Sequence, residues 1–298
     1  MQLSRTGVWA SQLGLVPATQ ARDAAAAIEA QGFGTLWVGE ADGREALTHA
    51  GLLLEATERL VVATGIANIW ARDAQAMINA ARTLAEAHDG RFVLGIGASH
   101  TPLVARRGHD YTKPYSAMEE YVEAMGRASY TSPPPASEPP WILAALGPKM
   151  LRLAGERAEG AHTFFVPAEH TRWARQLLGD GPVLVPEQAA VLAVDRGAAR
   201  GLAGNHVAKY LDLPNYRRNL ERLGWTAEDL DDGGSDRLFD ALVAWGDEDA
   251  IARRLVEHLE AGADQVALHV LTESPTRLPL AELEAIRAAL PPGSGILG

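Results

Sequence analysis

Short apolar runs alternate with longer amphipathic segments along most of this chain, the pattern typical of βα units and a parallel sheet. The runs are rich in β-branched residues, and glycine or proline often stands where a run meets a helical segment. We predict eight strands, at residues 8–10, 35–39, 61–66, 92–97, 141–146, 163–166, 189–194 and 265–271. Eight parallel strands, each followed by a helix, close into a barrel, so the pattern predicts an α/β protein of the (β/α)8 TIM-barrel class.

Two connections are too long to be simple loops between a strand and its helix. Residues 98–140 follow strand 4 and include the proline-rich segment TSPPPASEPP; residues 195–246 follow strand 7 and hold at least three helical pieces. Insertions at these points extend from the carboxyl ends of the strands, where barrel enzymes build their active sites. We predict one barrel domain over residues 1–298, with both insertion regions over its carboxyl-terminal face and a flexible tail at 291–298.

The composition narrows the range of partners. A formal net charge of −11 argues against nucleic acid and anionic membranes as partners, because both bind basic surfaces. The absence of cysteine excludes disulfides, thiolate nucleophiles and cysteine-ligated metals. The nine histidines show no HExxH-like spacing, so we predict no metal site. We find no apolar run of the kind that forms a signal peptide or a membrane span, which predicts a cytoplasmic protein.

Polar residues and glycines stand at the predicted ends of strands 2 and 3. Glu40 and Asp42 follow strand 2, where they are candidates for binding a cofactor hydroxyl or for general acid or base catalysis, and Asp42 is equally a candidate cap for the next helix. Gly65 and Ile66 end strand 3 and Asn68 follows. A glycine there indicates either a simple bulge or a close approach of backbone to ligand.

Strands 4 and 5 end in two further candidate sites. Gly97, Ala98 and Ser99 are small enough to leave room for a ligand, and His100 beside them is either a proton-transfer group or a structural histidine. The segment Gly147-Pro148-Lys149 opens the helix after strand 5, and its free N–H groups suit either a phosphate or an ordinary helix start.

Six segments together resemble the luciferase-like superfamily of flavin- and deazaflavin-dependent oxidoreductases, and within it the branch that uses coenzyme F420. They are TGVWAS, LWVGE, VVATGIANIW, HDGRFVLGIGAS, ALGPKMLRLAGERAEG and GDEDAIARRLVEHLEAGADQVALHVL. Their order and spacing span nearly the whole chain. The resemblance implies a bacterial-luciferase-like barrel and the transfer of a hydride between the deazaflavin C5 and a small organic substrate.

The resemblance also implies roles for particular residues. In the family a non-prolyl cis peptide ends strand 3 and backs the cofactor ring, here at Gly65–Ile66, and the turn at Gly147 holds the cofactor phosphate. The cofactor-binding residues implied are Ser11, Glu40, Gly65, Ile66, Asn68, Gly97, Ala98, Ser99, Gly147, Pro148, Lys149 and Met150. The candidate catalytic residues are His100, Glu40 and Asp42.

One departure from the family pattern affects the expected chemistry. Well-known alcohol and sugar-phosphate dehydrogenases of the family carry an Asp-His or similar pair after strand 2, where this chain has Glu40-Ala41-Asp42. We therefore expect His100 to take the proton-transfer role. The missing histidine argues against oxidation of such substrates and leaves an activated alkene, imine or carbonyl that is reduced. We expect the segment LPNYRRNL to help select the substrate.

Three functional interpretations stay open from the sequence. The first is an F420-dependent oxidoreductase, whose negatively charged cofactor tail would need basic groups such as Arg106, Arg107, Lys113, Lys149 and Arg152. The second is an FMN-dependent monooxygenase that uses reduced flavin and oxygen. The third is a barrel that binds a flavin or another ligand without catalysis. The resemblance also implies a homodimer that pairs through the alanine-rich helices at 19–31 and 73–88.

Overall fold

Eight parallel strands close on themselves in the computed structural model, which describes residues 3–290. The described residues form ten strands in all: β1 (Thr6–Trp9), β2 (Thr35–Val38), β3 (Val61–Thr64), β4 (Ala67–Asn68), β5 (Phe92–Gly97), β6 (Trp141–Ala144), β7 (Gly160–Thr163), β8 (Val183–Leu192), β9 (Val243–Gly246) and β10 (Val266–Val270). Two of them lie outside the closed ring, where β4 pairs with β5 and β9 pairs with β8. Hydrogen bonding runs β1-β2-β3-β5-β6-β7-β8-β10 and returns to β1. The predicted (β/α)8 barrel is confirmed, whereas the tail at 291–298 lies outside the described residues.

Helices surround the barrel. They are α1 (Ala18–Ala30), α2 (Ala46–Leu54), α3 (Ala74–Ala87), α4 (Thr101–Arg106), α5 (Pro114–Gly126), α6 (Pro148–Arg157), α7 (Ala168–Leu178), α8 (Arg196–Leu211), α9 (Pro214–Arg222), α10 (Ala227–Leu230), α11 (Asp236–Leu242), α12 (Glu248–Glu260) and α13 (Leu280–Ala289). Local sequence explains several starts: the carboxylates of Asp73, Asp195 and Asp247 accept backbone N–H groups at the beginnings of α3, α8 and α12. No helix within residues 3–290 is long and apolar enough to cross a membrane.

The two insertion regions differ in the contacts that fix them to the barrel. The first contributes α4 near the cavity described below and α5, which packs against α3 on the outside of the barrel. The second contains α8 to α11 and β9, and it has a hydrophobic core of its own that includes Leu220, Leu238 and Phe239. That core joins the barrel through Val191 on β8 and through Phe165. The interpretation of residues 1–298 as a single domain stays a prediction.

The largest differences from the strand prediction concern the sixth and seventh barrel strands and β9, while several other strand ends differ by one or two residues. The sixth barrel strand is Gly160–Thr163 rather than 163–166, because the apolar residues after Thr163 leave the sheet. The seventh is Val183–Leu192 rather than 189–194; Pro186 inside it made the first half look unlike a strand. The strand β9 was missed altogether, since the apolar pattern of α11 continues into it without a break.

The barrel interior is filled below the carboxyl ends of its strands. Trp37 is fully buried there, stacks on His162 at 4.8 Å between ring centroids and donates its indole N–H to Gln265 Oε1 at 2.7 Å. Val93, Ile142 and other side chains complete this layer. Any ligand must therefore bind above it, at the carboxyl-terminal face.

Candidate active site

A cavity of about 730 Å³ opens at the carboxyl ends of the barrel strands, a size that suits a cofactor and a small substrate. Most of the residues chosen from the sequence line it: Ser11, Glu40, Asp42, Gly65, Ile66, Ala98, Ser99, His100, Gly147 and Met150. Asn68, Gly97, Pro148 and Lys149 do not. The segment LPNYRRNL does reach the cavity, through Leu213, Asn215 and Tyr216.

The peptide bond between Gly65 and Ile66 is cis, as predicted. A Cβ added at Gly65 would lie 2.6 Å from the indole Nε1 of Trp9, so only glycine fits there. A Cβ added at Gly97 would lie 2.6 Å from Ile66 Cγ1. Gly97 therefore makes room for the Ile66 side chain, which corrects the expectation that it makes room for a ligand.

The Glu40 carboxylate is committed to groups within the protein. Its side chain is 2% exposed and accepts the N–H of Asn68 at 2.7 Å, the N–H of Ala46 at 3.3 Å and a hydrogen bond from the Arg72 guanidinium. Asn68 is also engaged locally, because its Oδ1 accepts the N–H of Trp70 at 3.0 Å. Glu40 thus anchors the backbone after the cis peptide, a geometry that argues against a general acid or base role.

Asp42 lies at the mouth of the cavity. Its exposed carboxylate forms an ion pair with Arg106 of α4, so it joins the β2 loop to the first insertion. The capping alternative for Asp42 is wrong, since Glu45 caps α2 by accepting the N–H groups of Leu47 and Thr48.

His100 lies just before α4 with its ring in the cavity wall. Its Nδ1 is buried and has no hydrogen-bond partner among the described residues. Burial lowers the pKa of His100 and the charge of Lys209 lowers it further, while a hydrogen bond with Asn215 opposes the shift. The imidazole is therefore neutral near pH 7 and free to accept a proton.

The turn predicted to hold a phosphate lies beside the cavity, and its phosphate-binding role stays a prediction. Gly147 precedes α6 without any side-chain cap, and Gly147 and Met150 line the cavity, but Lys149 is exposed and points elsewhere. Among the basic residues named from the sequence, Arg106 alone lines the cavity. Lys209 and Arg44 line it as well and were missed.

The cavity has an aromatic wall, of which the sequence analysis named only Tyr216, as part of LPNYRRNL. Phe164 follows β7, Tyr210 lies on α8, Tyr216 lies on α9, and Phe164 is 5.2 Å from Trp9 between ring centroids. Phe164 and Tyr210 were missed, because the residues of this wall are far apart in the chain.

Two buried polar atoms at the inner end of the cavity have no partner among the described residues. They are Trp9 Nε1, a donor, and His162 Nε2. His162 Nδ1 lies 2.8 Å from the carbonyl oxygen of Val185, to which it donates, so Nε2 is an acceptor. Burial lowers the pKa of His162 to about 4, which keeps it neutral. The cavity thus offers a ligand one donor and one acceptor.

A chain of buried hydrogen bonds begins at Ser11. Its Oγ is 3.1 Å from His269 Nε2, and His269 Nδ1 is 2.8 Å from Glu187 Oε1. Potential ligand atoms of Glu187, His206 and His269 all lie within 4.8 Å of one another, a cluster that local spacing could not reveal because the residues come from β8, α8 and β10. Both nitrogens of His269 already have partners, so we interpret Ser11, His269 and Glu187 as a hydrogen-bond chain, beside which His206 Nε2 has no partner among the described residues.

Comparison with known proteins identifies relatives. The model of the luciferase-like monooxygenase family matches residues 2–265. A 5,10-methylenetetrahydromethanopterin reductase of Methanolobus tindarius is 24% identical over 282 residues, 80% of this chain and 86% of that protein. A putative coenzyme F420-dependent oxidoreductase of Mycobacterium tuberculosis is 28% identical over 192 residues, 63% of this chain but only 51% of that protein.

Solved structures share the whole architecture. The coenzyme F420-dependent tetrahydromethanopterin reductase of Methanopyrus kandleri aligns with a TM-score of 0.79 at 17% identity, over 97% of this chain and 98% of that one. The oxygenating constituent of 3,6-diketocamphane monooxygenase of Pseudomonas putida, in complex with FMN, aligns with a TM-score of 0.72 at 14% identity, over 99% of both chains. At these identities the likeness establishes a common fold.

Proposed function

Because the chain belongs to the luciferase-like monooxygenase family, we propose that it is an oxidoreductase whose cavity binds coenzyme F420 and that moves a hydride to or from a small organic substrate. The observation that supports this most is the cavity at the barrel mouth, which has room for a cofactor and a small substrate. The relative of Mycobacterium tuberculosis that is named for F420 adds support for this cofactor over FMN.

The residues at the inner end of the cavity fit a deazaflavin. Its ring system carries both carbonyl and N–H groups, which the unpartnered Trp9 Nε1 and His162 Nε2 complement. The start of α6 at Gly147 provides free N–H groups for a phosphate. Lys209 supplies positive charge at the wall for an anionic tail.

The chain's own contribution to the reaction would be proton transfer and exclusion of water. The bound cofactor supplies a hydride donor or acceptor at its C5. His100, held neutral by burial, takes up a proton when the substrate is oxidised and returns it in the reverse direction. The aromatic wall of Phe164, Tyr210 and Tyr216 favours an apolar substrate and limits the entry of water.

Binding experiments separate this proposal from its alternatives. Trp9 lines the cavity, so titration with F420, FMN and FAD should report binding by quenching of tryptophan fluorescence. We expect quenching by F420 in the micromolar range; tight binding of FMN together with no binding of F420 would favour the monooxygenase and refute the proposal. Binding of F420 without turnover of any substrate would favour the non-catalytic barrel.

His100 can be tested once a competent substrate is found. We expect His100→Ala to lower kcat by about 10²-fold, the usual contribution of a general base, while the dissociation constant for F420 stays unchanged. His88→Ala, at the far end of α3, serves as the matched control. An unchanged kcat in His100→Ala would remove His100 from the mechanism. The homodimer also stays a prediction, which light scattering can check.

A further inference from the structure

A second reactive group borders the cavity and needs no cofactor. Ser11 lines the cavity directly after β1, and its hydroxyl begins the hydrogen-bond chain to His269 on β10 and Glu187 on β8. We propose that Ser11 is a base-activated nucleophile that accepts acyl groups from small apolar carboxylic esters. This activity would be separate from hydride transfer and uses a different part of the cavity wall from His100.

The geometry fixes which atom carries the proton. The Glu187 side chain is 1% exposed, and an ionised carboxylate can only accept, so it takes the hydrogen bond from His269 Nδ1–H at 2.8 Å. The Nε2 lone pair then points at the Ser11 hydroxyl, 3.1 Å away. A nucleophile, a base within hydrogen-bond reach and a third group that orients the base form the arrangement used by serine hydrolases on unrelated folds.

The surroundings hold this arrangement in place. The second oxygen of Glu187 accepts the N–H of Phe165 at 3.2 Å, and the Trp9 ring packs on the His269 ring at 4.5 Å between centroids. His206 stands edge-on to His269 at 5.3 Å. Burial above all, with His269 and Lys209 nearby, holds the pKa of His206 well below its usual range, so His206 is uncharged and does not repel a His269 imidazolium.

The reaction balances without any redox partner. Ser11 Oγ attacks the ester carbonyl carbon while its proton moves to His269 Nε2, and Glu187 stabilises the imidazolium. The C–O bond to the leaving alcohol breaks, and His269 donates the proton to that alcohol. Water then attacks the acyl-serine, gives its proton to His269 and releases the carboxylic acid, after which the proton returns to Ser11. Glu187 acts here as a positioning residue.

The cavity selects the class of ester. Phe164 and Trp9 give it an aromatic lining close to this chain of residues, which suits an uncharged, apolar acyl group. In the protein without cofactor, the indole N–H of Trp9, which has no acceptor among the described residues, is available to an ester oxygen. The competing acceptor for the Ser11 hydroxyl, Gln12 Oε1, is more distant at 3.5 Å.

Covalent labelling tests the proposal directly. The full-length protein is treated with diisopropyl fluorophosphate and the adduct is located by peptide mass mapping, with hydrolysis of p-nitrophenyl acetate measured in parallel. We expect one adduct at Ser11, none in Ser11→Ala, and a labelling rate at least about tenfold lower in Glu187→Gln. Ser132→Ala, in an exposed loop, should label like the wild type. Folded wild-type protein without a Ser11 adduct overturns the proposal.

A second measurement leaves His269 and Glu187 unchanged and replaces only the nucleophile. Because the chain has no cysteine, Ser11→Cys introduces its only thiol. A thiol beside His269 should have a pKa below about 7.5, against about 8.5 for the exposed thiol of Ser132→Cys. Alkylation by iodoacetamide as a function of pH measures both values. Burial without an activating base raises a thiol pKa, so a Ser11→Cys thiol that titrates at or above the Ser132→Cys value overturns the proposal.

Discussion

Glu40 shows how a residue that lines the cavity can stabilise the surrounding backbone rather than take part in proton transfer. Its carboxylate and the Arg72 guanidinium are 2% and 10% exposed, so each needs the other to offset its desolvation. The same carboxylate accepts the N–H of Asn68 directly after the cis peptide. Its position after β2 was predictable, but its donors were not, because Asn68 and Arg72 follow the next strand of the barrel.

Glu40→Gln should destabilise the protein strongly. The neutral amide leaves Arg72 with a weaker partner, and disrupting a buried pair costs about 3–5 kcal/mol. We expect the lower end of that range, since Glu45 also pairs with Arg72. Glu123→Gln, which removes an exposed pair with Arg127, should cost less than about 1 kcal/mol. Urea unfolding measures the free energy of unfolding of both variants. Equal decreases would show that the buried Glu40–Arg72 pair contributes no more than the exposed pair.

Gly97→Ala should destabilise the protein and disturb the cavity wall. The new methyl group would lie 2.6 Å from Ile66 Cγ1 and 3.1 Å from Ala144 Cβ, an overpacking that costs about 1–3 kcal/mol. The matched control is Gly201→Ala in α8, where nothing lies within 4 Å, and which should stabilise by about 0.5–1 kcal/mol. Chemical denaturation checks the signs. If Gly97→Ala leaves the free energy of unfolding unchanged, the Ile66 side chain must shift away from the new methyl group without cost.

The second insertion is held together by local ion pairs and caps. Asp229 forms a capping box with Thr226 at the start of α10, and it accepts hydrogen bonds from Ser235 and Arg237 near the start of α11. One carboxylate thus joins two consecutive helices. Because α8 and α9 carry Tyr210 and Tyr216 into the cavity wall, the order of this insertion also shapes the site.

Asp229→Asn should loosen α10 and α11 without unfolding the barrel. The hydrogen bond from Arg237 is the main reason that the pKa of Asp229 falls to about 2. A carboxyl whose pKa is lowered on folding stabilises above its unfolded pKa of about 4 and loses that contribution only as the pH falls towards 2. We therefore expect the backbone amides of α10 and α11 to exchange faster in Asp229→Asn than in the wild type. The ratio of the two exchange rates should be constant from pH 5 to 8. Exposed Asp212→Asn should leave exchange unchanged.

Strand prediction succeeded where packing and local pattern agree and failed where they conflict. The run of Phe164 to Val166 looks like a strand, yet Phe164 leaves the sheet to line the cavity. Gly160 looks like a poor strand residue, yet a Cβ there would lie 2.1 Å from the carbonyl oxygen of Val183. Such close contact between neighbouring strands is a tertiary fact that no local window contains.

Residues of the candidate site were also predictable only where the local sequence places them. Residues that follow a strand directly, such as His100 and Gly65–Ile66, were predictable because the carboxyl ends of barrel strands converge. His269 and Glu187 were not, since they lie within strands and meet only when β8 pairs with β10. Lys209 was missed because its helix belongs to an insertion whose path over the barrel is set by the packing of its own core.

The whole molecule should lose stability in mild acid. Burial is the main cause that lowers the pKa of His49, His162 and His170 to about 4 and that of His258 to about 3. In the unfolded chain these histidines bind protons near pH 6.5, whereas in the folded chain they do so only near pH 4 or below. The free energy of unfolding is therefore highest above pH 6.5 and falls between about pH 6.5 and 4. Each histidine lowers it by up to about 1.4 kcal/mol per pH unit.

Urea unfolding at several pH values checks this expectation. His49→Gln should reduce the slope of stability against pH by the contribution of one group. A free energy of unfolding that stays flat between pH 6.5 and 5 would contradict the expectation.

The ion pair between Asp42 and Arg106 lies at the mouth of the cavity and links the β2 loop to α4. Both side chains are more than half exposed, at 54% and 64%, and such pairs contribute only about 0–1 kcal/mol. Thermal motion therefore breaks and re-forms the contact continually. Because salt screens exposed charges, with a range of about 10 Å at 0.1 M, this link between the β2 loop and α4 should weaken as the ionic strength rises, while the buried barrel is unaffected.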